Sequence, residues 1–273
     1  MRIRIVDAFT DRPFAGNPAA VVLLDSDEFP SGEWMQNVAA EVNLSETAFA
    51  HPLPPEAEAD WALRWLTPTT EVNMCGHATL ATAHVLNTTG TAGGTVRFAT
   101  RSGVLSATAL EDGAITLDFP TAPLTAVAAP GTLSAALGAE VLSTHDTGPN
   151  VGDLLVELAD EKTVRSLDPD LAAVARLDHR GVIVTARAAS GTDGHDFVSR
   201  FFGPASGIDE DPVTGSAHTA LAPFWAARLG RDELTGLQAS ARSGLVRVSL
   251  RGERTLLTGG AVTVVDGELL TGA

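Results

Sequence analysis

One carboxylate of this chain stands in a nearly uncharged run, Glu46 in Ser45-Glu46-Thr47-Ala48-Phe49. A carboxylate facing a dry surface has a raised pKa and can both take and return a proton, so Glu46 is a candidate acid/base. The alternative is an ordinary glutamate on a solvated strand edge. His77 follows Gly76 at the start of a small-residue segment, where a neutral imidazole hydrogen-bonds a substrate or caps its own helix. A third candidate lies in Asp209-Glu210-Asp211, just before Pro212 and the Gly215-Ser216 pair. Such a run reads by default as a solvated acidic loop, yet an aspartate there could hold a substrate amine or orient His77. Ser216 is the expected N-cap of the following helix, and its hydroxyl and backbone N–H could also serve a ligand.

The glycines that open these segments lie 139 residues apart, at 76 and 215. Gly76-His77-Ala78-Thr79-Leu80-Ala81 is matched by Gly215-Ser216-Ala217-His218-Thr219-Ala220. An Arg-Ser-Gly triplet follows each, at Arg101 and Arg242, 141 residues apart. Two features repeating with nearly one period imply two similar half-molecules. Unsatisfied N–H groups at two helix starts attract anions, so the expected ligand carries a carboxylate or a similar group.

Positioning these residues requires strands and two buried helices. Residues 2–9 and 19–24 read as strands, joined through the turn-rich Thr10 to Pro18. The segment 33–42 reads as a helix with Ser31 near its N-cap, and 43–50 as a turn entering a strand. Further strands are expected at 60–66, 95–99, 103–109, 114–119, 151–158, 181–187, 196–202, 245–250, 255–258 and 261–265. The helices at 77–88 and 217–229 are rich in Ala and Thr and mostly lack a charged face, which predicts burial inside curled sheets. Pro223 is expected to kink the second. The proline-punctuated stretch 120–130 separates the halves, giving domains 1–120 and 131–273, with the last strand a candidate to return to the first.

Composition excludes other chemistries. The chain has 273 residues, 44% hydrophobic and 19% charged, enough to bury substantial cores. A net charge of −16 without a Lys/Arg cluster argues against nucleic acid and anionic membranes as partners. One cysteine, Cys75, excludes a disulfide framework, a multi-thiolate zinc site and any two-thiol mechanism. It reads as a small buried residue, with a one-thiol variant left open. A single lysine, Lys162, in a polar stretch makes a Schiff-base enzyme improbable, and the absence of tyrosine removes that acid/base. Neither G-x-G-x-x-G nor G-x-x-x-x-G-K-[ST] occurs. The histidines other than His77, including His84 and His218, read as structural, without metal-ligand spacing. A protein without metal or organic cofactor is expected, and the N-terminus has no signal-like apolar region, which places it by default in the cytoplasm.

Four blocks, Asn17-Pro18, Asn43-Leu44-Ser45-Glu46-Thr47-Ala48-Phe49, Cys75-Gly76-His77-Ala78-Thr79 and Gly207-Ile208-Asp209-Glu210-Asp211-Pro212-Val213-Thr214-Gly215-Ser216-Ala217, resemble the signature blocks of the PhzF-like (phenazine-biosynthesis) isomerases. They span the chain in order. The resemblance implies an α+β fold similar to diaminopimelate epimerase: two pseudo-symmetric domains, each a curled, mostly antiparallel sheet around a central helix, with the site in the cleft between them. It further implies a homodimer, no cofactor, and an activity like that on trans-2,3-dihydro-3-hydroxyanthranilate, in which a glutamate moves a proton. Glu46, His77 and Asp211 take the catalytic places by this resemblance. Asn17, Ser45, Gly76, Gly215 and Ser216 take the substrate-binding ones. The related two-thiol epimerases carry a cysteine before each helix, matched here at Cys75 only, because the second region reads Asp211-Pro212-Val213-Thr214. An amino-acid or hydroxy-acid epimerase and a non-catalytic binding protein stand as alternatives.

Overall fold

Alternating polar and apolar residues in Arg2–Ala8 and a run of small and β-branched residues in Asn17–Leu23 form an antiparallel pair, β1 and β2. The computed structural model describes residues 1–192 and 194–272. Two compact units result, Met1–Asp118 with Thr258–Ala273, and Phe119–Leu257. After β2 the first unit continues with α1 (Gly32–Val42), β3 (Glu46–Pro52), β4 (Trp61–Leu66), β5 (Glu71–Val72), α2 (Gly76–Thr88), β6 (Thr95–Thr100), β7 (Gly103–Ala109) and β8 (Ile115–Pro120). The second follows with β9 (Thr125–Ala126), α3 (Leu133–Leu137), β10 (Ser143–Asp146), β11 (Asp153–Glu157), α4 (Glu161–Arg165), α5 (Leu171–Val174), β12 (Gly181–Arg187), β13 (Phe197–Gly203), β14 (Ile208–Asp211), α6 (Gly215–Leu229), β15 (Glu233–Gln238), β16 (Gly244–Arg251) and β17 (Arg254–Gly259). β18 (Ala261–Glu268) then pairs antiparallel with β1.

The duplicated sequence is a duplicated pairing pattern. In the first unit β1 runs antiparallel to β2, β2 parallel to β3, β3 antiparallel to β4, β4 parallel to β6, and β6 antiparallel to β7. In the second, β10, β11, β12, β13, β15 and β16 repeat these relations in the same order. Even an ion pair recurs. Arg64 on β4 grips Glu71 on β5 with two hydrogen bonds, 2.7 and 2.5 Å, and Arg200 on β13 grips Glu210 on β14 at 2.7 and 2.9 Å. Each is a charge-assisted fork that ties a short strand to its neighbour. The fold is α+β.

Each long helix serves as a core. In α2 every residue from His77 to Leu86 is buried, and the helix touches β1, β2, β3, β7 and β18. Its small side chains let those strands approach closely. On the other face of β2 and β3, α1 packs Met35, Val38 and Ala39 against Val22, Phe49 and Leu66. Ser31 accepts a hydrogen bond from the Trp34 N–H and starts that helix, and Asn43, at φ 53°, ends it in the left-handed region. The chain therefore enters β3 at once, and strand alternation turns Glu46 toward α2 and Phe49 toward α1.

The helix α6 runs continuously from Gly215 to Leu229 through Pro223. A proline leaves the carbonyl four residues earlier without its helical donor. That carbonyl belongs to Thr219, and it accepts a hydrogen bond from the Ala122 N–H at 3.2 Å. The proline-rich stretch after β8 thus supplies the donor that Pro223 removes.

The connection from β1 to β2 is tightly bent. Phe9, Phe14 and Gly16 all have positive φ (60°, 65° and 64°), and the Phe14 N–H donates to the buried Asp7 carboxylate at 2.7 Å. A Cβ on Gly16 would lie 2.1 Å from the Ala8 carbonyl oxygen. Gly90 has a similar φ, 68°, in open space. Gly90→Ala is expected to cost about 1 kcal/mol, the left-handed penalty alone. Gly16→Ala adds the backbone collision and should cost at least twice as much, read from urea unfolding midpoints; equal costs would show that the loop relaxes freely.

Candidate acid/base site

The first unit brings six of the singled-out residues together. Glu46 opens β3, and parallel pairing aligns it with Ala19 of β2, two residues after Asn17. His77 is the second residue of α2, after Gly76. Its Nε2 lies 3.2 Å from Glu46 Oε2, and its Nδ1 lies 3.2 Å from Asn17 Nδ2. Ser45 donates its hydroxyl to Asn17 Oδ1 at 3.4 Å. Cys75, just before the helix, sets its Sγ 3.5 Å from His77 Nδ1 and 4.0 Å from Nε2.

This chain of contacts assigns the histidine's proton. With Asn17 accepting from Ser45 through Oδ1, its amide nitrogen donates to His77 Nδ1. Nδ1 then carries a lone pair, and the ring proton sits on Nε2, donated to the Glu46 carboxylate. Burial pushes the His77 pKa down to about 3, so the imidazole is neutral at physiological pH. Glu46 is therefore held in a fixed orientation by a neutral donor. Such a carboxylate is poised to accept a proton and, once protonated, to give it back.

The second unit organises Asp211 and Ser216 by itself. Asp211 ends β14, a strand paired with β13, and is buried; the acidic run is no solvated loop, because Glu210 is taken by Arg200 and Asp211 faces inward. Thr214 donates its hydroxyl to Asp211 Oδ2 at 2.6 Å. The fully buried Gln238 accepts the Thr214 N–H at 2.8 Å and donates to the Asp211 carbonyl, also at 2.8 Å. The expectation that Ser216 caps α6 is corrected: the N-cap position is Thr214, Gly215 is the first helical residue, and the Ser216 hydroxyl accepts from Arg180 at 3.1 Å. Arg180 is itself locked on the buried Asp153 by two hydrogen bonds, 2.9 and 2.6 Å.

Gln238, Thr214, Arg180 and Asp153 were not read from the sequence. Gln238 had a signal: in Glu233-Leu234-Thr235-Gly236-Leu237-Gln238 it falls in phase with Leu234 and Gly236 on the buried side of β15. A polar residue in an apolar phase must find buried partners. His84 and His218 lie within the helices; His84 Nε2 meets Thr263 Oγ1 at 3.1 Å, and His218 Nδ1 meets the Thr214 carbonyl at 2.8 Å. A possible cation set exists where none was expected, since Glu46, Cys75 and His77 offer three ligand atoms within 4.8 Å of one another.

A family model described as phenazine biosynthesis-like protein, PhzC-PhzF, matches residues 6–267 of this chain. An uncharacterized isomerase of Pseudomonas aeruginosa is 49% identical over 265 residues, covering 97% of this chain and 96% of that protein. The crystal structure of a PhzF-family phenazine biosynthesis protein from Enterococcus faecalis is 40% identical, with a TM-score of 0.89 over 99% of both chains. A hydroxyproline epimerase from Agrobacterium vitis shares the fold alone, at a TM-score of 0.64 and 14% identity over 98% of this chain and 91% of that one.

Two imidazoles buried in the neutral form make stability depend on pH. Burial lowers His77 to about 3 and His218 to about 4, against 6.5 for the unperturbed group. As pH falls below 6.5 the unfolded chain binds protons that the native state does not, so stability declines from there toward pH 4. His218→Gln removes one of these uptakes. Its slope of unfolding free energy against pH, from denaturant titrations between pH 7.5 and 4.5, should be shallower than wild type by up to about 1.4 kcal/mol per pH unit. Parallel slopes would mean that His218 is protonated in the native state.

Proposed function

The chain belongs to the phenazine biosynthesis-like PhzC-PhzF family, and from that premise we propose that it is an isomerase that shifts a proton on a small carboxylate-bearing substrate, with Glu46 as the shuttling acid/base and no metal or organic cofactor. The observation that carries this reading is the hydrogen bond of 3.2 Å between the buried Glu46 carboxylate and a neutral imidazole. In the proposed step Glu46 takes a proton from a carbon acidified by an adjacent double bond. The electron pair left behind moves into a new double bond, and Glu46 returns the proton to the carbon at the far end of the system. Substrate and product are isomers, so nothing is oxidised or reduced.

The remaining candidates supply binding and charge stabilisation. His77 holds Glu46, Asn17 and Ser45 hold His77, and the N–H groups of the helix start at Gly76 suit a carboxylate. In the second unit, Gly215 and Ser216 offer the same kind of helix start, and Asp211, fixed by Thr214 and Gln238, suits a substrate amine. The Pseudomonas aeruginosa relative is called an isomerase, which supports the reaction class. A one-thiol epimerase is the second reading, because Cys75 Sγ lies 3.5 Å from His77 Nδ1.

Glu46→Gln keeps the shape of the side chain and cannot exchange a proton. Turnover should fall by about 100-fold to 10,000-fold with the melting temperature little changed; near-wild-type kinetics would sink the assignment. Cys75→Ser should retain most of its turnover, whereas a loss matching that of Glu46→Gln in a folded protein would favour the thiol. With substrates drawn from a panel of small unsaturated carboxylates, turnover in deuterated water should place deuterium at the newly protonated carbon of a double-bond isomer. Mass spectrometry and proton NMR read this directly, and an inverted stereocentre would point to epimerisation instead. Protein treated with a chelator should stay active.

A further inference from the structure

We propose that Glu46, Cys75 and His77 form a coordination site for a thiophilic divalent cation such as Zn²⁺, which on binding takes Glu46 out of acid/base work. The donors are one carboxylate oxygen, one sulfur and one imidazole nitrogen, the set that zinc favours. All three residues are buried, and their ligand atoms lie within 4.8 Å of one another. Tetrahedral zinc with bonds of about 2.0 Å to nitrogen and oxygen and about 2.3 Å to sulfur needs donor separations of about 3.3 Å and about 3.6 Å. The nitrogen-to-oxygen separation is already 3.2 Å, and Sγ lies 4.0 Å from Nε2. Small side-chain rotations close the remainder. Three protein ligands leave a fourth position for water or a substrate carboxylate.

The neighbours of the site also suit this use. Zinc on Nε2 requires the ring proton on Nδ1, the atom facing the Asn17 amide. Rotating that amide by half a turn presents Oδ1 to Nδ1–H and Nδ2 to the Ser45 hydroxyl, whose oxygen then accepts. Asn17 becomes the partner that orients a ligating histidine. With its proton on Nδ1 the His77 ring offers Nε2 as a lone-pair donor, and the Cys75 thiol gives up its proton to solvent as the sulfur–metal bond forms. Nothing is oxidised. The bound cation occupies the Glu46 oxygen that otherwise accepts the substrate proton, so occupancy and turnover exclude each other.

The inhibitory consequence rests on Glu46 being the acid/base, but the site itself does not, and the test separates the two. Chelator-treated protein titrated with Co²⁺ should develop one sulfur-to-cobalt charge-transfer band in the near ultraviolet, saturating at one ion per chain and displaced by Zn²⁺. Cys75→Ser, confirmed folded by its melt, should lose the band, and Asn17→Ala should weaken cobalt affinity about 10- to 100-fold. Zinc should lower wild-type turnover in proportion to occupancy, and chelator should restore it. In Cys75→Ser the ratio of turnover with and without the same zinc should stay near one. Absence of a Cys75-dependent band at saturating cobalt overturns the site, even if the enzyme is active. A band with undiminished turnover, or activity that chelator destroys, overturns its inhibitory role. If no substrate turns over, the band and its loss in Cys75→Ser still decide the coordination.

Discussion

Burial of α2 on all sides is the constraint on which the first unit depends. A helix enclosed by β1, β2, β3, β7 and β18 must carry small side chains over most of its length, because only these let strands close around it. Enclosure also means that any polar group in its first turn must be satisfied by the strands rather than by water. His77 lies in that turn, and Asn17 from β2 and Glu46 from β3 meet its two nitrogens. The Glu46–His77–Asn17 contacts are the means by which a buried helix start is paired.

The duplication places two different polar clusters on one scaffold. The pairing order of the strands recurs, as do the Arg64–Glu71 and Arg200–Glu210 forks. The functional positions diverge. Glu46 is the first residue of β3, whereas the first residue of the corresponding β12 is Gly181, where a Cβ would lie 2.4 Å from the Phe201 ring. A side chain there would meet the Phe201 ring unless that ring shifted, and the position carries no carboxylate. The second unit's polar groups gather instead around the helix start, where Gln238 and Thr214 fix Asp211, and Asp153 and Arg180 fix Ser216.

Both assemblies use the same physical device. A residue that a ligand would touch is held by a polar partner, and that partner is held by another: Ser45 on Asn17 on His77, or the buried Asp153 on Arg180 on Ser216. Each link removes rotamer freedom before a ligand arrives, which is how a site holds its geometry. Burial supplies the electrostatic half of the device, since it keeps His77 neutral and so makes it a donor to Glu46 rather than a competing cation.

Most of the elements, and the residues that gather at the start of α2, were legible in the sequence. Residue periodicity located most strands, the Ala/Thr runs identified two buried helices, and the 139-residue repeat established the doubling. Glu46 and His77 were legible because each stands in a local setting unusual for its type, a carboxylate without neighbouring charge and an imidazole at a glycine-led helix start. The tertiary structure alone decided the partners. That Asn17 and Glu46 meet one imidazole follows from strand register and enclosure, which bring residues 60 and 31 positions away onto His77, and no local pattern encodes such contacts; Cys75, two residues from His77, is the local exception. Gln238 and Arg180 act through hydrogen bonds to groups 24 to 36 positions away, and α6 starts at Gly215 behind Thr214, whose N–H is taken by Gln238, rather than behind Ser216. Local pattern sets what a residue is able to do, and the long-range packing of strands on a helix sets what it is next to.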